Sequence, residues 1–184
     1  MKRIVIVHGW GGSPKSDWVP WLKRELEKLG FEVIAPVMPE TNSPEIGAWV
    51  GKLTEVVDVP DAYTYFVGHS IGCQTIMRYL ETINVPVGGA IFVAGWFNLE
   101  NMESVEEEVI AEPWLKTAID LEKVKKVLPR STLIISDNDP YGAFEENKRK
   151  FRPLITKELV LPGREHFNEA VEPEILEECK LMFR

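Results

Sequence analysis

Gly68-His69-Ser70-Ile71-Gly72 sets a serine hydroxyl at the centre of a G-x-S-x-G spacing. The pentapeptide follows the apolar run Tyr65–Val67 and precedes a stretch, 71–83, that is apolar on almost every face. Strand, sharp turn and helix in that order raise a serine on a strained turn. Side chains at Gly68 or Gly72 would collide with the neighbouring strand and helix. The chemistry such a serine performs is nucleophilic attack on a carbonyl carbon. A glycine-rich connection with an incidental serine is the plain alternative, and the strand and helix on either side argue against it.

The hydroxyl needs a base, and the chain holds three histidines. His8 belongs to the exit of the first apolar run, and His69 adjoins the serine with its side chain aimed elsewhere. His166, in Pro162-Gly163-Arg164-Glu165-His166-Phe167, follows the sixth apolar run, where a loop reaches the carboxyl edge of a sheet. A lone loop histidine is more often a solvated residue, but elimination and position select His166 as the base. An imidazole in that role takes a carboxylate that fixes its tautomer and stabilises the imidazolium. Asp137 and Asp139, in Ser136-Asp137-Asn138-Asp139-Pro140-Tyr141, both follow the fifth run. Asp137 stands where an aspartate satisfies free backbone amides at a strand end, whereas Pro140 stiffens the chain directly after Asp139.

Acyl transfer also needs N–H groups aimed at the developing oxyanion. The residue after the nucleophile, Ile71, is one candidate donor. The loop His8-Gly9-Trp10-Gly11-Gly12-Ser13 supplies the other, through the Trp10 amide. The same loop does not read as a dinucleotide fingerprint, because Gly12, Ser13 and Pro14 follow Gly9-Trp10-Gly11 where G-x-G-x-x-G requires a later glycine. No G-x-x-x-x-G-K-[ST] occurs. His166 and Glu169 lack the second histidine that a metal pair would need, so neither metal nor organic cofactor is expected. Trp10, Trp96, Phe97 and Phe167 are the candidate walls of an apolar acyl pocket, although core packing is the commoner fate of such aromatics.

Six short runs must position these groups: Ile4–Val7, Phe31–Ala35, Tyr65–Val67, Ala90–Val93, Leu133–Ile135 and Glu158–Leu161. Most are continuously apolar, as parallel strands covered on both faces are. Amphipathic stretches alternate with them. Trp18, Trp21, Leu22, Leu26 and Leu29 share one helix face that Gly30 can terminate. Ile46, Trp49, Val50, Leu53 and Val57 share another, after Ser43 as N-cap and Pro44 at the first helical position. Pro173 and Glu174 open a last helix that buries Ile175, Leu176, Cys179 and Met182. Between 96 and 119 six glutamates crowd around Trp96, Phe97 and Trp114. A solvated acidic helix is the default expectation there and a small cover over a pocket the functional one. The 34 residues from Trp96 to Pro129 leave little room for a large lid.

At 184 residues, 45% hydrophobic and 27% charged, the chain is expected to form one domain, residues 1–184, with its own core. A net charge of −8 makes nucleic acid and anionic membranes poor partners. Cys73 and Cys179 are too few for a disulfide framework and read as two buried thiols in a reducing compartment. The opening MKRIVIVHGW lacks the apolar length of a signal peptide, and no stretch reaches the length of a membrane span. A cytoplasmic location is the expectation.

The chain resembles the α/β-hydrolases and, more narrowly, the small serine hydrolases related to retinoblastoma-binding protein 9. The marks span nearly the whole chain: HGW at 8–10, GHSIG at 68–72, Gly95-Trp96-Phe97, DNDPY at 137–141 and the late His166. Ser, Asp and His follow in the chain order of α/β-hydrolases. The resemblance implies a triad of Ser70, Asp139 and His166, with the acid before the proline-aromatic pair. It also implies a reduced three-layer α/β sandwich of six parallel strands in order 2-1-3-4-5-6, lacking the two strands that precede the His-Gly strand in larger relatives. The expected activity is hydrolysis of small, uncharged acyl esters through an acyl-enzyme, with amides and thioesters open to the same triad. A binding or regulatory protein that keeps the fold is the rival from another class. The L-x-C-x-E motif of the mammalian member is absent, because neither cysteine has Leu two before and Glu two after.

Overall fold

The first β-branched run forms β1 (Arg3–Val7), and the later runs form β2 (Glu32–Ile34), β3 (Thr64–His69), β4 (Gly89–Val93), β5 (Ser131–Ser136) and β6 (Lys157–Leu161) in a computed structural model that describes residues 2–183. All pairings are parallel, and the six strands lie in the order β2-β1-β3-β4-β5-β6. Six helices of the described residues connect them, α1 (Val19–Lys28), α2 (Ile46–Val57), α3 (Ile71–Leu80), α4 (Val105–Lys116), α5 (Leu121–Val127) and α6 (Phe144–Phe151), and α7 (Pro173–Met182) follows β6.

Alternate strand residues serve opposite cores, as a pleated sheet requires. Val5, Val7, Phe66, Phe92, Leu133 and Ile135 pack with Trp49, Leu53, Ile76, Trp114, Val124 and Phe151 from α2 to α6. Ile4, Ile6, Tyr65, Val67, Ile91 and Val93 pack with Leu22 and Leu26 of α1 and with Ile175, Cys179 and Met182 of α7. The product is a three-layer sandwich. Every residue of α3 is buried, because this helix lies against the centre of the sheet. Cys73 and Cys179 are both free and buried.

The strand register gathers the chemistry at one edge. Val7 pairs with Gly68 and His69 with Val93, so the loops leaving β1, β3 and β4 emerge side by side. Ser136 pairs with Leu161, which brings the loops after β5 and β6 together. The order reverses between β1 and β3, where an open parallel sheet leaves a crevice at its carboxyl ends.

Two local expectations change. The N-cap of α2 is Glu45 rather than Ser43, because Pro44 stays outside the helix with its carbonyl accepting from Trp114 Nε1 at 2.8 Å. Leu29 is half exposed, since α1 ends at Lys28 and Gly30 turns the chain at φ 87°. The acidic segment forms the expected helix: Ser104 accepts from the Glu107 amide and opens α4, whose Trp114 is buried. No helix of the described residues is long and apolar enough to cross a membrane.

Candidate active site

Ser70 stands between β3 and α3 with φ 54° and ψ −121°, a conformation that residues with a side chain rarely adopt. The turn is tight because its neighbours lack side chains. A Cβ on Gly72 would lie 2.4 Å from the Val7 carbonyl oxygen, and one on Gly68 would lie 2.8 Å from the Cys73 amide. The Ser70 amide donates to the Val93 carbonyl at 2.9 Å and ties the turn to β4. Ser70, only 8% exposed, opens into a cavity of about 540 Å³ that His166 also lines.

His166 Nδ1 lies 2.7 Å from Asp139 Oδ2. A carboxylate only accepts, so Nδ1 carries the proton and Nε2 keeps its lone pair. Asp139 Oδ1 accepts from the Tyr141 amide at 3.0 Å, which fixes the second oxygen. Asp137 is spent elsewhere, accepting from the Gly163 amide at 3.0 Å. That bond is one of three side chain-to-backbone bonds between the two loops. Ser136 Oγ accepts from the Arg164 amide and Asn138 Oδ1 from the Glu165 amide, each at 2.9 Å. The carboxylate and imidazole are therefore held by a mesh of side chain-to-backbone bonds.

His69 braces this loop from behind. Its Nε2 lies 2.8 Å from the His166 carbonyl oxygen, which can only accept, so Nε2 carries the proton. Its Nδ1, 3.9 Å from Asp17 Oδ2, has no hydrogen-bond partner. Burial, followed by repulsion from the His166 imidazole, pushes the His69 pKa down to about 3. Burial also lowers His8 and raises the Asp17 carboxyl.

Ser70 Oγ accepts a hydrogen bond from Trp96 Nε1 at 3.2 Å and makes none to His166. The Trp10 amide has no acceptor among the described residues, and the Ile71 amide begins a helix that cannot satisfy it. The Trp10 loop is fixed by its indole, which donates to the Asn42 carbonyl, and by the Gly11 amide on the Thr41 carbonyl.

The cavity walls correct two of the pocket expectations. Trp10 and Trp96 line the cavity, with Leu99, Met102, Ile110 and Tyr141. Phe97 does not: it packs on Phe151 with ring centroids 4.8 Å apart. Phe167 is fully buried below the site, where its carbonyl accepts from Trp18 Nε1. Its φ of 58° turns the side chain of the residue after His166 into the core. Asp17 and Asn42 reach the wall without any sequence mark of their own, joined by Tyr141 of the DNDPY mark and by Met102, Glu103, Ser104, Glu106 and Glu107 of the acidic segment. Among the described residues no Lys or Arg lines the cavity, whereas Asp17, Glu103, Glu106 and Glu107 do. No cluster of His, Cys, Asp or Glu suited to a metal occurs among the described residues.

Fold and site together define an α/β-hydrolase. The chain belongs to the serine hydrolase family, whose model matches residues 4–183. It is 27% identical over 184 residues to the rat serine hydrolase RBBP9, covering 98% of this chain and 95% of that protein. Identity to YdeN of Bacillus subtilis is 28% over 150 residues, covering 80% of this chain and 76% of YdeN. The crystal structure of the Bacillus subtilis ydeN gene product superposes with a TM-score of 0.89 at 24% identity, covering 100% of this chain and 99% of that one. Est1E from Butyrivibrio proteoclasticus with ferulic acid bound superposes at 0.77 and 15% identity, covering 98% and 87%. These two superpositions describe the shared fold.

Proposed function

We propose that this chain hydrolyses small, uncharged carboxylic esters through an acyl-enzyme on Ser70. The observation that carries the reading is Ser70 on its strained turn, at a cavity shared with an imidazole whose Nδ1–H is tied to Asp139. His166 Nε2 takes the hydroxyl proton as Ser70 Oγ bonds to the carbonyl carbon, and the carbonyl electron pair moves to oxygen. The Trp10 and Ile71 amides receive that oxyanion. Collapse expels the alkoxide, which takes the proton from His166. Water, deprotonated by the same nitrogen, then repeats the attack on the acyl group and releases Ser70.

Neutral substrates fit the walls best. Trp10, Trp96, Leu99, Met102 and Ile110 offer apolar surface, and an anionic group would meet carboxylates with no Lys or Arg of the described residues to pair with. No metal or organic cofactor enters these steps.

A fluorophosphonate probe followed by peptide mapping tests the reading. The expected result is one covalent adduct, on Ser70, abolished in Ser70→Ala. Folded protein that takes no label, or takes it on another residue, overturns it and favours a binding protein built on the same fold.

A further inference from the structure

The Trp96 indole is committed to the nucleophile itself, and a buried chain of amides holds it there. Indole N–H can only donate. With one lone pair of Ser70 Oγ occupied by Nε1 at 3.2 Å, the hydroxyl proton must point elsewhere. That leaves it free for the deprotonated Nε2 of His166. Trp96 is 2% exposed, so the N–H has little water to bond to instead.

The residues behind Trp96 are polar where the core around them is apolar. Gln74 Nε2 donates to the Trp96 carbonyl at 3.1 Å. Gln74 Oε1 accepts from Arg78 Nε at 3.2 Å and from Nη2 at 2.9 Å. Arg78 in turn donates to the carbonyls of Trp114 and Thr117. The Gln74 amide cannot flip without setting N–H against guanidinium and carbonyl against carbonyl. On the other side, Asn147 Oδ1 accepts from the amides of Phe97 and Asn98 at 2.8 and 2.9 Å. Gln74 and Asn147 are 1% exposed and Arg78 is 5% exposed. Each would be costly to bury unsatisfied, and each is spent on the backbone at Trp96–Asn98 or on the group that orients it.

We propose that Trp96 Nε1–H is a catalytic hydrogen-bond donor to Ser70 Oγ, and that Gln74 and Arg78 are the residues that position it. The inference rests on Ser70 being the nucleophile. As His166 removes the proton, negative charge gathers on Oγ before its bond to the carbonyl carbon is complete. A hydrogen bond to a charged oxygen is stronger than one to a neutral hydroxyl, and 3.2 Å leaves room to shorten. The donor therefore favours the transition state over the resting enzyme, which is the condition for raising kcat. Trp96 keeps its own proton throughout. When the acyl-enzyme breaks down and Oγ leaves, the same charge returns and the same donor meets it.

The test replaces Trp96 by β-(3-benzothienyl)alanine, in which sulfur takes the place of N–H and the ring keeps its shape, with Trp96→Phe as a second variant. Fluorophosphonate labelling rate, kcat and KM for a short ester, and Tm are measured in each. Loss of the donor lowers the labelling rate and kcat by about 10- to 100-fold in the isostere, with KM little changed and the fold intact. An isostere that labels at the wild-type rate, or whose loss lies in KM alone, overturns the proposal and leaves Trp96 a pocket wall. Those results stand apart from a wild type that takes no label, which overturns the hydrolase reading and this proposal together.

Discussion

Asp139 Oδ2 lies 2.7 Å from His166 Nδ1, while Asp137, two residues earlier, is turned to the Gly163 amide. The two aspartates follow the same strand, and only one reaches the imidazole. Asp139→Asn therefore leaves the loop standing but favours the wrong histidine tautomer, lowering kcat by up to about 10⁴. Asp137→Asn removes one loop tie and lowers kcat by about tenfold or less. Steady-state rates at one mildly alkaline pH, with circular dichroism on both variants, check the ranking. The reverse order would move the acid to Asp137.

Ser70 and His166 act on one proton transfer, so their losses do not multiply. Ser70→Ala and His166→Ala each lower kcat by about 10⁴ or more, and the double variant loses little further. Retention of more than about a tenth of wild-type activity in His166→Ala would remove it as the base.

The sequence carried the four central strands because each holds a continuous apolar run, the pattern that burial on both faces imposes, whereas the edge strands β2 and β6 are mixed in sequence and only partly buried. It carried Ser70 because a tight strand-to-helix turn demands Gly68 and Gly72. What stayed hidden depends on backbone turns and long-range bonds. Phe167 and Phe97 resemble pocket aromatics in the sequence, yet a left-handed residue and the Phe151 ring direct them into the core. Asp17, from the loop before α1, and Tyr141 reach the cavity only through the packing of separate loops. The indole on Ser70 Oγ joins residues 26 positions apart, a relationship no local pattern encodes.

Buried His69 makes the fold acid-sensitive. Its pKa falls from 6.5 to about 3, so below pH 6.5 the unfolded chain binds a proton that the folded chain refuses. The stability it confers is full above pH 6.5 and declines as pH falls toward 3, by about 2 kcal/mol at pH 5. Burial of His8 works in the same direction. Thermal melts at pH 7.5 and pH 5 should show a smaller acid-induced drop in His69→Gln than in wild type. Equal drops would mean that His69 is not a source of the sensitivity.

Charge on the substrate separates good from poor esters. A carboxylate on the acyl group slows kcat/KM about tenfold or more relative to a neutral ester of similar size at low salt, and added salt narrows the gap. Glu103 and Glu106 are exposed at the cavity rim, where ions can screen them. Short neutral esters outrun long-chain ones, with no jump in rate as substrate passes its solubility limit. An anionic ester that matches its neutral counterpart would contradict this account of the walls.

Every step of the proposed hydrolysis passes through a covalent acyl group on Ser70. Rapid mixing with a p-nitrophenyl ester, followed by an acid quench and peptide mass analysis, addresses it most directly. The expected result is a burst of about one nitrophenolate per chain and an acyl group on the peptide that carries Ser70, both absent in Ser70→Ala. Ester hydrolysis that persists in Ser70→Ala, or an acyl group found on any other residue, would contradict it.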